Sequence, residues 1–169
     1  HMGLVEVVGG TPRINSNQKA LISIRDYIER TGSVDGKRLT DYFTDAPFLS
    51  GTLYNLLSDI LKQGEYDFIE RLGYTEKTIQ AELIINVLSK YYDNYPKPIQ
   101  TMLQVWLKTN KGKSGQIVAN VAIRCRIEKL LCELLVNPNE ELRSYVAQDM
   151  YRLWQEDDKL AYRLLDQLA

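Results

Sequence analysis

From Thr75 onward the apolar positions recur at three- and four-residue intervals, the period of one face of an α-helix. Ile79, Leu83, Ile84, Val87, Leu88 and Tyr91 predict a helix from Thr75 to about Tyr92. Asn94-Tyr95-Pro96-Lys97-Pro98 stops it, and Pro98 can open the next, over Ile99 to about Lys108, with Met102, Leu103, Val105 and Trp106 apolar. Between Gln116 and Val136 the apolar residues occupy two stripes rather than one: Ile117, Val118, Val121, Ala122, Cys125 and Cys132, then Ile123, Ile127, Leu130, Leu131, Leu134 and Leu135. Such an arc predicts one central helix covered on two sides, with Ile127 and Leu131 deeply buried. Asn137-Pro138-Asn139-Glu140-Glu141 is a helix start, and Leu142, Val146, Met150 and Leu153 supply the stripe that follows, with Tyr145 and Trp154 at its edges. After the acidic turn Glu156-Asp157-Asp158, a last helix carries Leu160, Ala161, Leu164, Leu165 and Leu168.

Upstream the pattern is shorter-ranged. Helices are expected from about Gln18 to Arg30, from about Gly36 to Phe43, and after a cap at Ser50 or Thr52, where Leu53, Leu56, Leu57, Ile60 and Leu61 form a stripe ending at Gly64. Leu4 to Val8 is β-prone, but Gly9-Gly10-Thr11-Pro12 breaks it and leaves no obvious pairing partner, so a lone strand or a flexible tail is expected. The expected fold class is therefore all-α, built of stacked antiparallel helix pairs as an α-solenoid fragment or a helical bundle, with no sheet of three or more strands. The chain divides into a flexible segment over 1–13 opening on a cloning remnant, a helical subdomain over 14–74 and a repeat-like one over 75–169, the last two readable as one continuous domain.

Two stretches resemble known families. Asn137-Pro138 followed by Leu142-Arg143, Ala147, Met150 and Leu153 resembles the first helix of a HEAT-type repeat, in which a proline-containing turn precedes a V-R-x-x-A-x-x-A-L-x-x-L pattern. That resemblance covers about 137–169 and implies helix pairs stacked into a surface that binds other macromolecules. Ser50-Gly51-Thr52-Leu53-Tyr54 with Leu57, Leu61 and Gly64 resembles the recognition-helix segment of PadR-type winged-helix repressors, which implies a DNA reader. In that stretch Lys62 is the one base, set against Asp59, Glu65, Asp67 and Glu70, and Glu65 to Tyr74 carries no hairpin signal for a wing.

Composition narrows the chemistry. With 44% hydrophobic and 25% charged residues, the chain has the make-up of an ordinary globular protein. Its single histidine, His1, belongs to an opening His1-Met2-Gly3 that reads as a cloning remnant, so the expectation is a native chain without histidine. Histidine-dependent triads, HExxH zinc sites and histidine pH switches then fall away, and no enzyme activity, cofactor or metal is expected. Cys125 and Cys132, seven residues apart on the expected central helix, read as buried free thiols of a reducing compartment. With no apolar run of about 20 residues and no signal peptide, a cytoplasmic protein is expected. Gly112-Lys113-Ser114 lacks the upstream glycine of a phosphate-binding loop, because position 107 is Leu107.

Charge is uneven along the chain. The net charge is −1, yet Asn94 to Ile127 holds Lys97, Lys108, Lys111, Lys113, Arg124 and Arg126 and no acid, which leaves −7 for the remainder. A basic face carrying Lys108, Lys111, Lys113, Arg124 and Arg126 is therefore expected to dock an acidic surface. The expected function is a non-enzymatic protein-interaction module, a scaffold or regulatory domain, with Tyr151 and Trp154 as apolar contacts to the partner. The alternative expectation is a nucleic-acid-binding regulator using the amino-terminal helices and the basic 97–126 face. An acidic carboxyl-terminal hairpin in another subunit is a further expected partner.

Overall fold

The structure, a computed structural model, describes residues 6–8, 11–13 and 49–168. The helices expected over 18–30 and 36–43 lie outside the described residues. Glu6–Val8 (β1) and Thr11–Arg13 (β2) pair antiparallel, with Val8 opposite Thr11. The strand expected to lie alone thus has its partner immediately downstream. The rest of the described chain is helical: α1 (Leu49–Lys62), α2 (Tyr66–Leu72), α3 (Thr78–Tyr91), α4 (Pro96–Thr109), α5 (Ser114–Arg124), α6 (Glu128–Leu135), α7 (Glu140–Glu156) and α8 (Asp158–Leu168). Ser50 and Thr52 lie inside α1 rather than at its cap, and helix α2 occupies the segment after Gly64.

The helices stack in two rows. In the first, α1 packs on α3, α3 on α5 and α5 on α7; in the second, α2 packs on α4 and α6 on α8. α5 also touches α4 and α6, so it is the hub of the fold. Its Ile117, Val118, Ala119, Val121, Ala122 and Ile123 are all buried, which is why its apolar arc is so wide.

The central helix expected from Gln116 to Val136 is two helices. α5 ends at Arg124, and Arg126 takes a left-handed backbone, φ 54°. The Arg126 N–H donates to the Ile123 carbonyl (3.3 Å) and the Ile127 N–H to the Ala122 carbonyl (3.0 Å), the paired bonds of a Schellman ending with arginine where glycine is usual. Nothing in the sequence marks the break, because no glycine or proline stands there. One local and one tertiary contact hold it instead: the Arg126 guanidinium donates to the Ile123 carbonyl three residues back and to Glu156 of α7, both at 2.6 Å. The two stripes read as one helix covered twice are in fact two helices, each with its own buried face. Arg126→Gly is expected to unfold within about 1 kcal/mol of wild type, since relief of the left-handed strain offsets the lost half-exposed ion pair. Arg126→Val, β-branched and without either contact, is expected to cost about 2 kcal/mol or more. Urea unfolding of the two variants checks this, and equal midpoints would remove the strain from the account.

Other boundaries move by a few residues for local reasons. Thr75 precedes α3 by three positions, with its buried hydroxyl accepting the Lys77 N–H (3.0 Å) and donating to the Gln80 side chain. Ile79, expected on the buried face, is 45% exposed in the first turn of α3. α4 begins at Pro96 rather than near Pro98. Within the expected start Asn137 to Glu141, Asn139 caps α7, its Oδ1 accepting the Glu141 and Leu142 N–H groups (2.9 and 3.3 Å). Leu165 and Leu168 of α8 are exposed, whereas Leu160, Ala161 and Leu164 are buried as the spacing implies.

Candidate functional site

Between α4 and α6 the second row opens into a groove of ≈ 680 Å³. One wall is a face of α4: Lys97, Gln100, Thr101, Gln104, Val105 and Lys108 recur at i, i+3, i+4, i+7, i+8 and i+11. The turn at Arg126 and the start of α6 make the other wall, with Ile127, Lys129, Leu130 and Glu133. Val105, Ile127 and Leu130 are its apolar part. Gln104 Nε2 donates to Glu133 Oε2 (3.3 Å), a hydrogen bond from one wall to the other.

Lysines surround this apolar strip. Lys97 and Lys108 stand at opposite ends of α4, about 16 Å apart at ~1.5 Å per residue, and Lys129 stands on the facing wall. All three are exposed. The ion pairs among the described residues join Arg126 to Glu156, Arg152 to Asp149 and Glu156, and Arg163 to Glu128, so no carboxylate among them pairs with a groove lysine. A groove with an apolar part, amide and hydroxyl side chains and the Glu133 carboxylate along it, and three ammonium groups outside any ion pair among the described residues, can hold an amphipathic segment carrying acids.

The basic residues singled out in the sequence do not form one face. Lys108 joins the groove. Lys111 and Lys113 lie in the α4–α5 loop, pinned where the Lys113 N–H donates to the Thr75 carbonyl (2.7 Å). Gly112 sits between them with φ 54°, and a Cβ there would overlap the Tyr74 and Thr75 carbonyl oxygens, so this loop admits only glycine. Arg124, at the far end of α5, donates to Asn86 of α3 (2.6 Å). Arg126 is engaged with Glu156, which leaves it little free charge. Lys129 was missed because Glu128 and Glu133 flank it and end the acid-free span; only its distance from α4 in space, not in sequence, gives it a role.

Tyr151 and Trp154 are exposed on α7, 66% and 49%, with rings edge to face at 6.4 Å. Cys125 and Cys132 are free thiols, but half-buried rather than buried, Cys125 in the turn that follows α5 and Cys132 on α6. Partial burial pushes both thiols up from their ordinary value, which keeps them protonated and poorly nucleophilic. Among the described residues no three His, Cys, Asp or Glu side chains gather as a metal site would require, and no helix is long and apolar enough to cross a membrane. No known protein family, no characterised protein and no solved structure matches this chain.

Proposed function

We propose that the chain is a non-enzymatic interaction module, a scaffold or regulatory domain, that receives an acidic amphipathic helix of a protein partner in the groove between α4 and α6. The observation that supports this reading is the placement of Lys97, Lys108 and Lys129 around Val105, Ile127 and Leu130 with no carboxylate paired to any of the lysines among the described residues. Binding of a helix in a groove draws its affinity from the apolar strip, and the lysines select an acidic partner and speed its encounter. The span from Lys97 to Lys108 accommodates about three helical turns.

The test is fluorescence anisotropy of a labelled 15-residue helical peptide of Glu, Leu and Ala against the full chain. Reversing Lys97, Lys108 and Lys129 to glutamate is expected to weaken binding about 100-fold, at roughly 1 kcal/mol for each charge. The helical circular dichroism should stay unchanged, since all three side chains are exposed. Equal binding by the reversed chain would remove the groove from the account. Tighter binding of a duplex DNA, with log affinity falling linearly in log salt, would replace the protein partner by nucleic acid.

A further inference from the structure

We propose that the helix received by the groove is α8 of a second copy of this chain, presented by a face that carries two aspartates. This rests on the reading above and names its partner. Among the described residues, seven large apolar side chains are substantially exposed, and five of them, Tyr151, Trp154, Tyr162, Leu165 and Leu168, lie on the α7–α8 hairpin. So many on one hairpin mark a surface that another surface covers. On α8, Asp158, Tyr162, Leu165 and Asp166 stand at i, i+4, i+7 and i+8, one face of the helix, bordered by the exposed Lys159 and away from the buried Leu160, Ala161 and Leu164. Tyr162 and Leu165 are 54% and 52% exposed, and both aspartates are exposed.

This face has what the groove lacks. Its two apolar anchors suit the strip formed by Val105, Ile127 and Leu130, and its aspartates, about 12 Å apart along the axis, suit lysines on the two walls. α8 is 11 residues long and spans ten steps, close to the eleven that separate Lys97 from Lys108. Charge agrees in sign: from Asn137 to Leu168 there are seven acids and four bases, against the three lysines and one glutamate, Glu133, that line the groove. Arg163 and Arg152, two of the four bases, are engaged with Glu128, Asp149 and Glu156 of the same chain, which also ties up two of the seven acids and leaves Asp158 and Asp166 outside these pairs. The contact is heterologous, a helix of one copy in the groove of the next, so every copy offers both halves.

Sedimentation velocity of the full chain over a range of concentrations tests it. Wild type is expected to associate at 0.05 M salt and to dissociate toward monomer at 1 M, where the Debye length falls to about 3 Å. Lys108→Glu with Lys129→Glu, and separately Asp158→Lys with Asp166→Lys, are each expected to weaken self-association about tenfold or more. An equimolar mixture of the two reversed chains should associate as wild type does, because each then presents a groove complementary to the other's helix. Tyr162→Ser, which leaves every charge in place, should weaken association as well and guards against misfolding of a charge variant. A wild type that stays monomeric at all concentrations, or reversed chains that fail to associate when mixed although each is folded, would overturn the proposal. The peptide measurement separates the two levels: if the Glu-Leu-Ala peptide binds wild type but the chain does not self-associate, the groove reading stands and this one falls. If the peptide does not bind, the groove reading itself has failed.

Discussion

Replacing Trp106 with alanine is expected to destabilise the protein by about 3–5 kcal/mol, the range for loss of a fully buried aromatic. The indole has no exposed surface, and its Nε1 donates to the Glu70 carbonyl at 2.9 Å, tying α4 to the last turn of α2. Its fit is tight enough to dictate a second residue. A Cβ on Gly73 would overlap the ring at Cζ2 and Cε2, so the residue that ends α2 must be glycine although its backbone, φ −65°, suits any residue. Gly73→Ala therefore costs about 1–3 kcal/mol through overpacking, where helix propensity alone would favour alanine. The two effects are coupled: in a Trp106→Leu background, Gly73→Ala should cost at least about 1 kcal/mol less than in wild type. Urea unfolding of the four chains in the cycle measures this. A Trp106→Ala loss below about 1.5 kcal/mol, or strict additivity in the cycle, would show that the ring does not set the packing between α2 and α4.

What the pattern of apolar positions shows well is which segments are helical and which faces are covered. Leu83, Ile84, Val87 and Leu88 of α3, Met102 and Leu103 of α4, and Leu142, Val146 and Leu153 of α7 are buried as their spacing implies, because a periodic stripe reports burial whatever the partner is. It fails where tertiary contact decides. The break at Arg126 depends on Glu156, 30 residues away, and arginine has no local preference for a left-handed turn. The β1–β2 hairpin escapes notice for the opposite reason: its second strand, Thr11-Pro12-Arg13, has no apolar alternation, and the Gly9-Gly10 link looks like an ending. The groove was legible in part. Lys97 and Lys108 belong to an acid-free span that composition alone reveals, but their partnership with Lys129 requires α6 to turn back toward α4, which follows from the break that the sequence does not announce.

Leu131→Ala is expected to cost about 2–5 kcal/mol, and Ile127→Ala less than about 1.5 kcal/mol, although the two share one apolar stripe four residues apart. In a continuous helix they would be equivalent. Here Leu131 has no exposed surface and sits in the middle of α6, which packs on α5, α7 and α8, so truncation opens a cavity that three helices would have to close. Ile127 precedes α6, is half-buried and lines the groove, so losing its side chain removes surface already partly in water. The same position makes the difference run the other way in binding. Ile127→Ala should weaken the Glu-Leu-Ala peptide about tenfold by removing part of the apolar strip, while Leu131→Ala, at temperatures where it remains folded, should leave peptide affinity within about threefold of wild type. Denaturant unfolding and peptide anisotropy on the same two variants give the crossed result directly. Equal destabilisation by both would restore the single central helix, and equal binding by both would mean that Ile127 faces no ligand.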